Sequence, residues 1–205
     1  MQSYITIKQH GQFKYEDRKS VFIGEAMPVT TEAEALAFIE SVKKKYPDAR
    51  HHVYAYVLRE NSIMRFTDDR EPQGSAGMPT LDAIRKRGCT DTAVVVTRYF
   101  GGTLLGTGGL VRAYTAAAQG AIEEAMVIKY DIYTELSILL SYSDYGKITQ
   151  LTESSGFRTD DTVFADNVTL LGRLPKANFE GLEKNIADIT SNRAKITVLS
   201  EKFDF

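Results

Sequence analysis

Apolar residues in the first 126 positions follow the two-residue period of strands in some segments and the helical period in others, which predicts a mixed α and β domain. Strands are predicted at residues 4–7, 21–23, 52–57, 63–66 and 93–97, and helices at residues 32–46, 79–87 and 110–126. Thr31 and Glu34 have the spacing of a capping box at the start of the first helix. Residues 93–97 are Ala-Val-Val-Val-Thr, a continuous apolar run that is typical of a buried central strand.

The pattern changes after residue 128. Strands are predicted at residues 133–140, 157–164, 168–174 and 195–199, with helices at residues 145–154 and 175–189. This βαββαβ order is typical of the ferredoxin-like fold. Pro175 is predicted to lie in the first turn of the second helix, where a missing amide costs no hydrogen bond. We therefore expect two domains, residues 1–128 and 129–205, with no Gly/Ser linker between them.

The charge balance limits the partners that the chain can bind. Its 205 residues include 25 Lys and Arg against 27 Asp and Glu, for a net charge of −2. Up to Ile128 there are 16 basic and 15 acidic residues, and after it there are 9 and 12. Neither part has the strongly basic balance of a protein that binds nucleic acid mainly through phosphates. Any nucleic-acid contact must therefore come from a local patch.

Hydropathy and cysteine content indicate a cytoplasmic protein that does not cross a membrane. No apolar run approaches the roughly 20 residues that span a bilayer, and the N-terminus lacks the apolar core of a secretory signal. Cys89 is the only cysteine, so an intrachain disulfide is impossible and a reducing compartment is favoured. With no CxxC partner, Cys89 is interpreted as a buried spectator thiol.

A glycine-rich loop is the strongest candidate for a binding site. Five of the chain's 15 glycines lie within nine residues, between a predicted strand and a predicted helix, and two arginines bracket them. Backbone amides and the helix dipole at such a point favour an anion, and arginines add bidentate donors. The candidate residues are Arg98, Gly101, Gly102, Gly106, Gly108, Gly109 and Arg112. Because neither the dinucleotide fingerprint nor a P-loop is present, the glycines can equally serve tight turns and close helix–sheet packing.

An acidic loop forms a second candidate, with Asp68, Asp69 and Glu71 following a strand that carries His52. Carboxylates near an imidazole can perform acid–base chemistry or bind a divalent metal. The spacing is not a metal signature, and the sequence predicts no metal and no cofactor. His51 and His52 point to opposite faces of one strand, so at most one of them joins a site. Asp and Glu before Pro and Gly are also common turn formers, and the sequence leaves both interpretations open.

The two loops together resemble the signatures of the IMPACT family, including its bacterial YigZ-like members. The matching segments are DDREPQGSAG at residues 68–77, RYFGG at 98–102 and LGTGGLVRAY at 105–114, and RKSVFIG at residues 18–24 is similar to the family's N-terminal motif. The βαββαβ part resembles the small domain of bacterial members, so the likeness spans essentially the whole chain. Arg70 stands where the family usually has Gly, and it would be strained if that position needs a positive φ.

The resemblance implies an α+β protein. Its N-terminal α/β sandwich would be shaped like the second domain of a small-subunit ribosomal protein, and its ferredoxin-like domain like the last domain of elongation factor G. Eukaryotic relatives are associated with translational control during amino-acid starvation. The implied role is a non-enzymatic regulator that binds the ribosome, RNA or a ribosome-bound protein through the glycine-rich loop.

Two alternatives remain open, and the oligomeric state is not predicted. The superfamily also includes the GHMP kinases, so a phosphotransferase or hydrolase with a phosphate site at the glycine-rich loop is one alternative. The other is a pure protein-interaction module. Because no assembled catalytic constellation is visible, the sequence favours a role without catalysis.

Overall fold

The computed structural model describes residues 3–205 and divides them into two compact units. The N-terminal unit is Tyr4–Lys129, and the C-terminal unit contains Tyr130–Phe205. Each unit has its own buried apolar core. The predicted mixed α and β architecture with two domains is thereby confirmed. No helix within residues 3–205 is long and apolar enough to span a bilayer.

The N-terminal unit is built on an antiparallel sheet. Its elements are β1 (Tyr4–Ile7), β2 (Gly11–Asp17), β3 (Ser20–Pro28), α1 (Glu32–Lys45), β4 (His51–Val57), β5 (Met64–Thr67), α2 (Gly77–Lys86), β6 (Thr92–Tyr99) and α3 (Gly106–Glu124). Five of the strands pair in the order β2-β3-β6-β4-β5, so β6 is the central strand that its apolar run predicted. The sequence pattern does not predict β2, because this edge strand is mostly polar and exposed.

The two faces of this sheet are covered by different helices. Along β6, Val94 and Val96 pack in the core that includes α2 and α3, whereas Ala93 and Val95 pack in the core that includes α1. On the first of these faces α3 lies very close to β3, because a Cβ on Gly24 would be only 2.2 Å from the Ala117 carbonyl oxygen. The sheet therefore has a helical layer on each side.

The sequence predicts the start of α1 correctly but not the start of α3. The predicted cap of α1 is confirmed, since the Thr31 side chain accepts a hydrogen bond from the Glu34 amide at 3.2 Å. In contrast, α3 begins at Gly106 and not at Leu110, so the second half of the glycine-rich loop is the first turn of the helix. The expected boundary was wrong because glycines are poor helix formers, and local propensity hides this turn.

The C-terminal unit has the predicted βαββαβ order. Its elements are β7 (Val127–Leu140), α4 (Tyr142–Ser154), β8 (Arg158–Phe164), β9 (Val168–Pro175), α5 (Phe179–Thr190) and β10 (Lys195–Asp204). These strands pair antiparallel in the order β10-β7-β9-β8. The prediction that Pro175 lies in a first helical turn is wrong, because Pro175 ends β9 and a short 3-10 turn precedes α5.

Candidate functional site

Arg98 forms the floor of the site near the end of β6. Its cross-strand neighbours are Phe22 on β3 and His51 on β4, and only 6% of its surface is exposed. The Arg98 Nη1 donates a hydrogen bond to Glu71 Oε1 at 2.7 Å. The buried Nε of the same guanidinium has no hydrogen-bond partner within residues 3–205. Glu71 therefore balances the charge of Arg98 but leaves one buried donor unused.

Glu71 connects three segments of the fold. Its Oε1 also accepts a hydrogen bond from the Tyr114 hydroxyl at 2.8 Å, so a single carboxylate oxygen joins the acidic loop, β6 and α3. Burial raises the pKa of the Tyr114 phenol, and the negative charge of Glu71 raises it further. Tyr114 consequently remains protonated and acts as a donor to Glu71.

His51, and not His52, joins this cluster. The His51 Nδ1 lies 2.8 Å from the Asp69 carbonyl oxygen. Since a carbonyl only accepts, Nδ1 carries a proton, and Nε2 lies 3.9 Å from Glu71 Oε1. The His52 ring lies on the other face of β4, with Nε2 3.1 Å from the Tyr46 carbonyl oxygen. His51 therefore joins the cluster instead of the predicted His52, because adjacent residues of a strand point to opposite faces of the sheet.

The other acidic candidates hold the loop together. Asp68 Oδ1 accepts hydrogen bonds from the amides of Ala76 and Gly77, at 3.1 and 2.8 Å, and so caps the start of α2. Asp69 Oδ2 accepts a hydrogen bond from the His52 amide at 2.6 Å. Both carboxylates therefore accept hydrogen bonds from backbone amides of the fold, which is the role of turn formers. Glu71 differs, because its carboxylate binds the side chains of Arg98 and Tyr114.

Arg70 adopts the left-handed backbone that suits a glycine. Its φ is +70°, a conformation that costs a residue with a Cβ on the order of 1–2 kcal/mol. The Arg70 side chain extends toward β4, and its Nη2 donates a hydrogen bond to the Arg50 carbonyl oxygen at 2.8 Å. The departure from the family motif therefore introduces backbone strain and also adds positive charge beside Arg50.

A depression of about 250 Å³ opens above the buried cluster, and we call it the Phe100 pocket. It is lined by Arg50, His51, Arg98, Phe100 and Leu104. Phe100 is 44% exposed, and the Arg98 guanidinium carbon lies 5.5 Å from its ring centroid. A second depression of about 210 Å³ shares Arg50 and Phe100 with the first. The pocket thus combines cationic side chains with an exposed aromatic ring.

The first half of the glycine-rich loop is explained by the fold. A Cβ on Gly101 would lie 2.1 Å from the Lys19 carbonyl carbon, and the Gly101 amide donates to the Ser20 hydroxyl at 3.1 Å. Gly102 and Gly106 have φ values of +84° and +70°. These glycines allow a tight turn against the β2–β3 hairpin, in agreement with the turn-and-packing interpretation.

Gly108 has no such explanation. It lies in the exposed first turn of α3, and the nearest atom to an added Cβ is Arg112 Nη1, at 3.8 Å. Gly109, by contrast, is packed against Leu105. No side chain caps this turn, and the exposed Arg112 forms no ion pair within the described part of the chain. The first turn of α3 is therefore open to solvent with a free guanidinium beside it.

Metal binding and thiol chemistry both depend on side chains that the fold places apart or buries. Within residues 3–205, no group of three or more His, Cys, Asp and Glu side chains has the arrangement of a metal site. Cys89 is buried, and burial raises the pKa of its thiol to about 11. The thiol stays protonated near neutral pH, which agrees with its interpretation as a spectator.

Comparisons with known proteins find relatives that match nearly the whole chain. Residues 18–122 match the family model of the Impact N-terminal domain, and residues 138–193 match a domain of unknown function, DUF1949. The chain is 34% identical to IMPACT family member YvyE of Bacillus subtilis (strain 168), over 96% of this chain and 91% of that protein. It is 32% identical to IMPACT family member YigZ of Escherichia coli (strain K12), over 91% of this chain and 93% of that protein.

A eukaryotic protein and a solved structure are also similar to this chain. Protein IMPACT of Xenopus laevis is 32% identical over 47% of this chain and 32% of that protein. A crystal structure of a hypothetical protein is 30% identical, with a TM-score of 0.60 over 98% of this chain and 100% of that chain.

Proposed function

Because the chain belongs to the IMPACT family, we propose that it is a non-enzymatic, translation-associated regulator that binds the RNA of the ribosome through its glycine-rich loop. The observation that carries this proposal is the convergence of arginines from separate segments around that loop. Arg18 donates a hydrogen bond to the Leu104 carbonyl oxygen at 3.4 Å, and Arg50 and Arg98 line the pocket with Leu104. Arg112 lies beside the next turn. A chain of net charge −2 thus contains the local basic patch that RNA contact requires.

The first turn of α3 supplies a binding mode for one phosphate. Exposed helix N-termini present amide donors and a positive dipole end, which favour a phosphate oxygen. The absence of a side chain on Gly108 leaves the turn accessible, and Arg112 adds a charged donor at its edge. Because Gly108 is not needed for packing or for a positive φ, phosphate access is the role that best accounts for it.

The roles of the two predicted arginines differ in this proposal. Arg112 is exposed and free to contact a phosphate directly, whereas Arg98 is buried and bound to Glu71. Charge reversal at Arg112 therefore tests binding, while a change at Arg98 also disturbs the core. For this reason the hairpin residue Arg18 is the better partner for Arg112 in a binding variant.

The test is co-sedimentation of the tagged protein with purified ribosomes at low and high salt. If the three exposed arginines Arg18, Arg50 and Arg112 each neutralise one phosphate, the log–log salt slope is about −2 to −3. The Arg18→Glu/Arg112→Glu variant should stay in the supernatant. The Arg65→Glu/Arg85→Glu variant, with the same change of charge on exposed arginines elsewhere, should pellet like the wild type. Equal sedimentation of the two variants, or no sedimentation of the wild type at low salt, contradicts the proposal.

A small-molecule phosphotransferase or hydrolase remains the second candidate, and one observation favours it. His51 Nε2 lies 3.9 Å from Glu71 Oε1 beside a cationic pocket, and an imidazole next to a carboxylate is suited to acid–base work on a phosphate ester. Thermal-shift assays with nucleotides and Mg²⁺, followed by an assay for phosphate release, distinguish this candidate, since binding alone stabilises the fold and only an enzyme turns the nucleotide over. The third alternative, a pure protein-interaction module, predicts no salt-sensitive binding to ribosomal RNA.

A further inference from the structure

We propose that the Phe100 pocket binds one unpaired nucleotide of a single-stranded RNA segment, with the base stacked on Phe100 and its phosphate at Arg50 and Arg98. This inference rests on the proposed function and deepens it, because it states which form of RNA the surface recognises. It adds Phe100 to the arginines on which the proposed function rests, so the stacking contact can fail while ribosome binding stands.

An unused buried donor is the first reason to expect a ligand. Arg98 lines the pocket, although only 6% of its surface is exposed. Its Nε has no hydrogen-bond partner in the described chain. Buried polar groups in proteins are nearly always hydrogen-bonded, and exceptions call for an explanation. Glu71 holds only Nη1 of this guanidinium. A phosphate oxygen of a ligand can accept a hydrogen bond from the rest of the guanidinium.

The aromatic wall selects a nucleotide over a simple anion. Phe100 is 44% exposed and Leu104 is 80% exposed, although both lie next to arginines. An inorganic anion gains nothing from such a wall, whereas a nucleotide carries a flat base as well as a phosphate. Sequence-tolerant binding of single strands uses this combination of an aromatic platform and a basic groove.

The dimensions favour a single base within a chain. The pocket volume of about 250 Å³ lies below the usual range for drug-sized ligands, so it fits one base better than a complete nucleoside triphosphate. The adjoining depression is lined by Asp48, Arg50, Tyr99 and Phe100. Because the two depressions share Arg50 and Phe100, an extended strand can cross from one to the other. A paired duplex keeps its bases inside the helix and offers none to Phe100.

Charged residues in the two depressions determine where the phosphate of the bound RNA lies. Asp48 accepts a hydrogen bond from the Tyr99 hydroxyl at 2.9 Å in the second depression, and its carboxylate repels a phosphate there. The phosphate is therefore assigned to the side with Arg98. Asp48 remains available as an acceptor for an amino group of the neighbouring base.

The test is fluorescence anisotropy with a labelled single-stranded oligo(A) RNA and with the oligo(A)·oligo(U) duplex. The wild type should bind the single strand at least about tenfold more tightly than the duplex. Phe100→Ala should weaken single-strand binding about tenfold, within the range found for loss of one stacked base. Phe100→Tyr should keep it. Phe164→Ala, which removes a similarly exposed phenylalanine in the C-terminal unit, should bind like the wild type.

Ribosome co-sedimentation of the Phe100→Ala variant separates the two proposals. If the variant binds oligo(A) like the wild type, or the duplex competes equally, the pocket proposal is wrong, and continued sedimentation leaves the proposed function intact. If the wild-type protein binds neither RNA nor ribosomes, both proposals fail. Circular dichroism melting of each variant establishes that the binding differences do not reflect unfolding.

Discussion

The guanidinium of Arg98 and the carboxylate of Glu71 form an ion pair at 2.7 Å in which both side chains are almost fully buried. The two residues lie on different segments, at the end of β6 and in the acidic loop, and Tyr114 binds the same carboxylate oxygen from α3. The pair holds the floor of the Phe100 pocket in place. Two residues that the sequence assigned to separate candidate sites therefore belong to one structural unit.

Breaking this pair on one side should strongly destabilise the N-terminal unit. Glu71→Leu leaves the buried Arg98 charge without a partner, and we expect a loss of about 3–5 kcal/mol in the free energy of unfolding. The Glu71→Leu/Arg98→Met double variant should recover most of that loss, since no buried charge remains. Urea unfolding of both single variants and the double variant measures the coupling. Losses that simply add in the double variant contradict the buried pair.

Alanine substitutions at two glycines of the same loop should have opposite consequences. Gly101→Ala places a Cβ against the Lys19 backbone and should cost about 1–3 kcal/mol of stability. Gly108→Ala meets only the end of the Arg112 side chain and should stabilise α3 by up to about 1 kcal/mol. Thermal melting followed by circular dichroism gives both values. Equal losses at the two positions would show that Gly108 also has a structural role.

Glycine at position 70 should be more stable than alanine at the same position. Both Arg70→Gly and Arg70→Ala remove the charge and the hydrogen bond to the Arg50 carbonyl oxygen. Only glycine relieves the strain at a φ of +70°, so the Arg70→Gly variant should be more stable by about 1 kcal/mol. Parallel urea titrations measure the difference. An alanine variant as stable as the glycine variant contradicts strain at this position.

The buried carboxylate Glu25 should make the protein sensitive to acid. Burial opposes its ionisation, but hydrogen bonds from Lys45 and His10 outweigh burial and lower the pKa of Glu25 below 4.5. Because the pKa is lower in the folded than in the unfolded chain, the stabilisation is complete above about pH 4.5 and is lost as the pH falls through the folded value.

The Glu25→Gln variant should therefore show a flatter dependence of unfolding free energy on pH below about 4.5. Glu16→Gln, which changes an exposed carboxylate on β2, is the matched control and should keep the wild-type slope. Urea unfolding at a series of pH values tests both variants. Parallel profiles for the wild type and the Glu25→Gln variant would show that Glu25 does not cause the acid sensitivity.

The sequence by itself determined the features that depend on local pattern. The cap of α1 at Thr31, the central strand β6 and the βαββαβ order follow from periodicity, because burial on one face imposes a fixed spacing on apolar residues. The family followed from the two loop motifs. Periodicity does not predict β2, whose exposed side chains carry no apolar signal, or the end of β9 at Pro175, where a strand end and a helix start have similar local preferences.

Only the tertiary structure decided which candidate side chains meet. The strand period established that His51 and His52 face opposite ways, but the packing of α1 on one face and the acidic loop on the other assigned His51 to the site. Likewise Arg98 was predicted as a free anion donor, and its burial against Glu71 depends on three segments that are distant in sequence. Local spacing encodes which face a residue occupies, whereas the identity of its partners depends on long-range packing that no single segment contains.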